Sequence, residues 1–173
     1  MSDYSLYDDG KELPLGDGKI RLCRIKTRDK EHIRVYRKQS QSKEQILCMV
    51  SGMEGGEFYR AAAIRWLREY ARAEFEKKVR FYADKMQVSV NRIAVKEQKT
   101  RWGSCSMKGN LNFNWKLALM PERIMDYVVV HELAHRKQMN HSAAFWKEVE
   151  LVLPDYRERK QWLSEHEKEF AEY

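Results

Sequence analysis

Apolar residues are distributed along the chain in a way that predicts a β-rich opening followed by a mainly helical remainder. Before Gly52, three short segments rich in Ile, Val, Leu and Tyr alternate with charged turns, which is typical of strands. The predicted strands cover residues 19–25, 32–37 and 45–50. Residues 1–17 are polar and contain glycine, so we expect a loosely held terminus there. Gly52, Gly55 and Gly56 mark the end of the β-rich segment.

The second part of the chain opens with a long predicted helix over residues 57–86. Its apolar residues recur every three or four positions, as expected for an amphipathic helix. They are Ala63, Leu67, Ala71, Phe75, Val79, Tyr82 and Met86. Residues 92–98 alternate through Ile93 and Val95 and predict a strand, and a second short strand is expected over 110–114.

A second helix is predicted to begin at Pro121, which suits a first helical position. Apolar residues occupy all sides of the segment that follows, so the helix should be buried. We expect it to end between Gln138 and Asn140, with Asn140 able to adopt a left-handed conformation. Ser142 is then the expected N-cap of a further helix that stops before Pro154.

The buried helix contains the sequence His-Glu-Leu-Ala-His, residues 131–135. Histidines four residues apart lie on one face of a helix, so His131 and His135 can reach a single metal ion. Glu132 is in the position of a general base for water that the metal acidifies. His141, ten residues after His131, is a candidate third ligand, which leaves one coordination position open for catalysis. The competing interpretation makes these histidines ordinary helix-surface residues.

Several separate blocks of sequence around this motif resemble the YgjP-like metallopeptidase domain family of zincin-like proteins. They are Arg101-Trp102-Gly103-Ser104-Cys105-Ser106, then Gly109 and Asn114, then residues 126–135, then Asn140-His141-Ser142 with Phe145-Trp146, and finally Pro154-Asp155-Tyr156. The resemblance is closest over the second half of the chain. It implies a zincin-like core, one zinc ion per chain bound by His131, His135 and His141, and Glu132 as the general base. It also implies that the edge of the predicted strand over 110–114 can hold an extended peptide by main-chain hydrogen bonds, as in zincins. The fold class we expect is α+β, a zincin-like metalloprotease core with an N-terminal β-rich segment and a helical C-terminal half.

Length and composition bound the cellular setting. At 173 residues the chain fits one domain, which we place over 1–173, with a β-rich segment over 1–56 and the core over 57–173. No apolar run approaches the length of about 20 residues needed to cross a membrane, and the first residues lack the pattern of a signal peptide. Three widely separated cysteines suit reduced thiols. We therefore expect a cytoplasmic protein without membrane partners; its oligomeric state is open.

The chain carries 33 Lys and Arg against 26 Asp and Glu, a formal charge of +7. This excess could attract a polyanion, but no recognised nucleic-acid-binding motif accompanies it, so solubility is the preferred interpretation. Lys99 and Arg101 could instead face an anionic substrate. Trp102 and Trp146 are expected to serve the core or the cleft wall, and Cys105 and Tyr127 are assigned to packing in preference to a nucleophilic and an oxyanion-binding role. Asn114 is a possible contact to the substrate or to a metal ligand.

The function predicted from these observations is zinc-dependent hydrolysis, most simply of a peptide. Two alternatives remain open. Zinc-activated water could attack the phosphoanhydride of a nucleoside triphosphate, which would make the protein a nucleotide pyrophosphatase. A non-enzymatic alternative is a nucleic-acid-binding module with a structural zinc. A peptidase should offer an unpaired strand edge beside the metal, whereas a nucleotidase should direct several Arg or Lys side chains towards it.

Overall fold

The computed structural model of the chain describes residues 5–98 and 100–173, so Lys99 lies outside the described residues. It confirms the expected α+β class, with strands at the start and helices in the C-terminal half. The chain forms two compact units, Met1–Glu69 and Tyr70–Tyr173. A single domain over 1–173 stays a prediction. None of the helices in the described residues is both long and apolar enough to span a membrane.

The first unit contains a four-stranded sheet. Its strands are β1 (Glu12–Leu15), β2 (Gly18–Lys26), β3 (Arg34–Gln39) and β4 (Gln45–Ser51), in the order β1-β2-β4-β3. β2 and β4 are parallel, and the other pairs are antiparallel. The three predicted strands are confirmed. The expectation of a loosely held opening is wrong for residues 12–15, because Leu13 is buried and pairs with Ile20 across a two-residue turn.

Helix α1 (Gly56–Met86) matches the predicted long helix and contains the division between the two units. Within the second unit, α1 packs against a three-stranded sheet through the contact of Phe75 with Phe113. Phe75 is fully buried and stacks on Phe113, with ring centres 4.3 Å apart. The apolar residues spaced three or four apart therefore form a buried face of α1, as predicted.

The second unit has a three-stranded sheet of β5 (Arg92–Lys96), β6 (Gly103–Cys105) and β7 (Asn110–Asn114). β7 lies in the centre, parallel to β5 and antiparallel to β6. The predicted strands over 92–98 and 110–114 are confirmed, but the expectation that the latter has a free edge is wrong. β5 forms one edge of the sheet, and the three-residue strand β6, inside the Trp102–Ser106 block, forms the other.

Three helices complete the second unit: α2 (Glu122–Ala134), α3 (Ala143–Val152) and α4 (Tyr156–Ala171). α2 is buried as predicted; Val129, Val130 and Leu133 are fully inaccessible. Pro121 is its N-cap rather than its first residue. The prediction that α2 extends to residues 138–140 is wrong, because the chain tightens into a turn after Ala134 in which the Arg136 amide bonds the Leu133 carbonyl. Among described residues other than glycine, only Lys43 and Gln87 have a positive φ, so Asn140 is not left-handed.

Candidate metal centre

Three histidines come together where α2 meets the turn that leads to α3. His131 is in the last turn of α2, His135 is its C-cap, and His141 follows on the turn. Ser142 caps α3 as predicted, its hydroxyl accepting a hydrogen bond from the Phe145 amide. This cap ends the turn one residue after His141. One potential ligand atom from each histidine lies within 4.8 Å of the other two.

The spacing of these nitrogens suits a metal ion. Nε2 of His131 and Nε2 of His141 are 3.1 Å apart. Two nitrogen ligands of one tetrahedral zinc ion, each about 2.05 Å from it, are separated by about 3.3 Å. Three neutral imidazoles are also a donor set that zinc binds well. The three histidines therefore fit a zinc ion in their chemistry, and the His131–His141 pair also fits it in spacing.

Neighbouring groups determine the tautomer of His135 and the protonation of His131. Nδ1 of His135 lies 3.1 Å from the Gln138 carbonyl oxygen, which can only accept, so Nδ1 carries the proton and Nε2 keeps a free lone pair. His131 packs edge-on against Phe145, and its Nδ1 has no hydrogen-bond partner within the described part of the chain. Burial lowers the pKa of His131 to about 3, with smaller contributions from His135, His141 and Lys160. His131 is therefore neutral, as a metal ligand must be.

Glu132 faces the edge strand β6 at very short range. Its side chain is buried, and a Cβ placed on Gly103 would lie 2.6 Å from its Oε1 and 2.8 Å from its Cγ. Only glycine leaves room for the carboxylate at this point. Burial raises the pKa of Glu132 to about 8, and the charge of Arg101 opposes the shift. A carboxylate with a pKa near neutrality can both accept and return a proton.

A histidine cluster that could hold a metal ion, with a buried carboxylate beside it, is what a metallopeptidase requires. The chain matches the YgjP-like metallopeptidase domain family over residues 3–166. It belongs to this family. As a YgjP-like metallopeptidase it is a metal-dependent hydrolase of mixed α and β structure.

Two solved structures resemble this metallopeptidase over about half of its length. The metallopeptidase zymogen of Pyrococcus abyssi abylysin is 26% identical, with 53% of this chain and 93% of that chain covered and a TM-score of 0.48. The metallopeptidase zymogen of Methanocaldococcus jannaschii jannalysin is 23% identical, with 53% and 94% covered and a TM-score of 0.47. No curated protein matches the chain.

Residues of the Trp102–Ser106 block and its surroundings hold the metallopeptidase's edge strand in place. The side-chain Nδ2 of Asn114 donates to the Gln98 carbonyl, and the Asn114 Oδ1 accepts from the Lys116 backbone amide. The Trp102 indole donates to Glu167 of α4. Arg136, immediately after His135, donates to the carbonyls of Ser89 and Met107. The Asn114 side chain therefore caps the 3₁₀ helix that follows β7, while its backbone amide bonds the Trp102 carbonyl just before β6. Trp102 ties the start of β6 to α4.

Cys105 and Tyr127 both keep their protons because they are wholly or partly buried. Burial raises the pKa of Cys105, and its Sγ lies 3.4 Å from the Ser106 carbonyl, so the side chain is held as a thiol. Tyr127 is buried with its ring centre 5.9 Å from that of His131, and burial raises its pKa. The remaining histidines lie elsewhere: His32 is paired with Asp29, and His166 stacks on Trp162.

Two residues beside the site could not be singled out from the chain alone. Gly103 is part of the Arg101–Ser106 block but has no predicted role of its own, because a strand of three residues is too short to give a strand pattern. Lys160 is not among the residues predicted from the sequence, and its Nζ lies 4.5 Å from the ring centre of Trp146, which itself contacts His131. The signal available was the spacing of Tyr156 and Lys160, which puts them on one face of a helix.

Proposed function

We propose that this chain is a zinc peptidase in which His131, His135 and His141 hold one zinc ion and Glu132 is the general base. The proposal is carried by one observation. The three imidazoles converge on a common point, and the next residue after the first of them is a buried carboxylate against an edge strand. A structural zinc site has no need of such a carboxylate, because four protein ligands close it.

In the proposed reaction, the metal and the residues around it would have separate roles. Bound zinc supplies a Lewis acid that polarises the scissile carbonyl and acidifies water. Glu132 takes a proton from the attacking water and returns it to the leaving amine nitrogen. Its burial excludes bulk water from this proton, and Gly103 fixes the carboxylate on the side of the edge strand. The Gln138 carbonyl keeps His135 in the tautomer that binds metal through Nε2.

The strand β6 supports a peptide as the substrate. Within the described residues it pairs only with β7, so its outer edge has backbone groups available for an extended chain. The nucleotide alternative required several cations directed at the metal. Arg101 acts on Glu132 and Lys160 acts on His131, so these two cations approach different residues and do not converge on the point shared by the three imidazoles. A peptide is therefore the favoured substrate.

The test joins metal content to turnover. Zinc is measured by elemental analysis in the wild type, in His135→Ala and in the control His32→Ala, whose exposed histidine is outside the triad. Peptides and nucleoside triphosphates are then offered to the wild type and to Glu132→Gln. We expect about one zinc per chain in the wild type and in His32→Ala, with a large loss in His135→Ala. Glu132→Gln should keep zinc and lose peptide turnover by at least about a hundredfold.

Three results would contradict the proposal. Absence of zinc from the reconstituted wild type would remove the metal site. Peptide turnover that survives in Glu132→Gln would remove its role as base. Hydrolysis of triphosphates without hydrolysis of peptides would favour the pyrophosphatase.

A further inference from the structure

A pocket of about 550 Å³ lies beside the histidine triad and has no part in the mechanism above. It is lined by Trp146 of α3 and by residues of α4, among them Tyr156, Arg157 and Lys160. The rings of Trp146 and Tyr156 are stacked, with centres 5.3 Å apart and planes 15° from parallel. These two aromatic rings form a flat wall, and the basic side chains of α4 lie over it.

Lys160 carries an unbalanced positive charge in this pocket. Its Nζ lies 4.5 Å from the ring centre of Trp146, and no carboxylate pairs with it among the residues that the structure describes. Arg159, one residue earlier, is by contrast bound to Asp155 at 2.9 Å. The one carboxylate lining the pocket, Glu165, accepts a hydrogen bond from the Gln161 amide. The ammonium is thus held against the indole with its hydrogen-bonding capacity directed at solvent or a ligand.

Arg157 adds a second cation to the same pocket. Its guanidinium lies 5.6 Å from the ring centre of Tyr156, and its Nε donates to the Tyr156 hydroxyl at 3.2 Å. This bond uses one of its five donors. Among the lining residues two cations outnumber the one carboxylate, and the charge of Glu150, outside the lining, acts on Arg157.

The pocket is close enough to the triad to meet a substrate. The Trp146 ring centre is 5.8 Å from that of His131 and 5.9 Å from that of His141. The distances of 5.8 Å (His131 ring to Trp146 ring) and 4.5 Å (Trp146 ring to Lys160 Nζ) set an upper limit of roughly 10 Å on the separation between Lys160 Nζ and the His131 ring. An extended peptide spans that distance in about three residues. A group on the substrate within about three residues of the cleaved bond can therefore reach Lys160.

We propose that this pocket binds a carboxylate of the peptide substrate through Lys160, assisted by Arg157, so that the enzyme selects peptides with an anionic group near the scissile bond. The inference rests on the proposed peptidase function and extends it to the class of substrate. The carboxylate can come from an acidic side chain or from a free C-terminus. Both have the same chemistry, and the experiment separates them.

The test measures discrimination between matched peptides. One pair differs by Glu against Gln at positions one to three residues from the cleaved bond, and a second pair differs by a free against an amidated C-terminus. The ratio of kcat/KM within each pair is measured for the wild type, Lys160→Gln, Lys160→Arg and the control Lys147→Gln. Lys147 is exposed on α3 next to Trp146 but does not line the pocket.

We expect the wild type to favour one anionic peptide about tenfold, the effect of one charge-assisted hydrogen bond. The ratio should fall to near one in Lys160→Gln and persist in Lys160→Arg and Lys147→Gln. The pair that shows the preference identifies the source of the carboxylate. A ratio near one in the wild type, or one that Lys160→Gln leaves intact, would overturn the proposal.

A binding measurement keeps this inference separate from the proposed reaction. The same peptides are titrated into metal-free protein, and the indole signal of Trp146 is followed by NMR. Tighter binding of the anionic peptide that depends on Lys160 supports the pocket even if no peptide is cleaved, in which case the proposed function fails alone. Cleavage without such binding or preference leaves the peptidase in place and removes the pocket.

Discussion

At the scale of single residues, the close approach of Gly103 to Glu132 decides where the proposed base can sit. The φ angle of Gly103 is not in the left-handed region, so the backbone there would accept any residue. Glycine is required by space alone, because Oε1 and Cγ of Glu132 occupy the volume of a Cβ. A sequence shows this glycine but not the side chain that fills the place beside it.

Substituting Gly103 by alanine should displace Glu132 without changing the capacity of the three histidines to bind the proposed zinc ion. We expect Gly103→Ala to lower kcat by about a hundredfold, because a misplacement of about 1 Å in a catalytic group costs that much. The free energy of unfolding should fall by about 1–3 kcal/mol from overpacking. Peptidase kinetics, zinc content and chemical denaturation measure the three effects.

Gly18→Ala is the matched control for this variant. A Cβ at Gly18 would meet its nearest atom, the Leu15 carbonyl oxygen, at an ordinary 3.7 Å. It should change neither kcat nor zinc content. If Gly103→Ala were as active as Gly18→Ala, Glu132 would not depend on this contact.

At the scale of elements, helices with a long repeating pattern of apolar residues could be predicted. Boundaries that depend on contacts with residues distant in sequence could not. The 31-residue α1 follows from its repeating apolar face, and the cap at Ser142 follows from residue type. The early end of α2 could not be predicted, because it reflects the bonds of Arg136 to carbonyls of Ser89 and Met107, remote in sequence. The triad itself was predictable, since two of its members depend only on helical spacing.

α1 and α2 are joined by a partly buried ion pair that should contribute to stability. Lys78 Nζ lies 2.8 Å from Asp126 Oδ1, and the two side chains are 15% and 20% exposed. We expect Lys78→Met to lower the free energy of unfolding by about 2 kcal/mol, the range for a hydrogen bond to a charged group. Its neighbour Lys77, whose side chain is 71% exposed in its pair with Glu74, is the control and should cost less than about 0.5 kcal/mol when replaced by Met.

The pH dependence of this pair has a defined sign. Burial acts to lower the pKa of Lys78, but the hydrogen bond and charge of Asp126 raise it above the ordinary 10.5. A raised pKa in the folded state means that the pair's contribution is complete below pH 10.5 and is lost as pH rises above that value. Denaturation of the wild type and Lys78→Met should therefore differ equally at pH 7 and pH 9. A difference that disappears by pH 9 would contradict the ion pair.

At the scale of the whole molecule, the proposed metal site belongs entirely to the second unit. All three histidines and Glu132 lie within Tyr70–Tyr173. A ligand that binds only the folded state stabilises it by an amount that grows with its concentration. That stabilisation should be largest near the residues that bind the ion, at the end of α2, in the turn that follows it and at the start of α3.

Zinc should therefore slow amide hydrogen exchange unevenly along the chain. We expect stronger protection over residues 131–145 on adding zinc to metal-free protein, and little change in β1 to β4 of the first unit. Hydrogen-exchange mass spectrometry with and without zinc measures this, with His135→Ala as the control that should show no zinc effect. Equal protection of both units would contradict a site confined to the second.

The edge strand β6 is only three residues long, and this brevity has a consequence for the state in which a substrate arrives. So short a strand can exchange main-chain hydrogen bonds with only one or two residues of a partner, too few to pull a segment out of a folded protein. The enzyme should therefore act on chains that are already unfolded, such as free peptides, nascent termini or damaged segments. Its rate on an intact protein would then report the local unfolding of that protein.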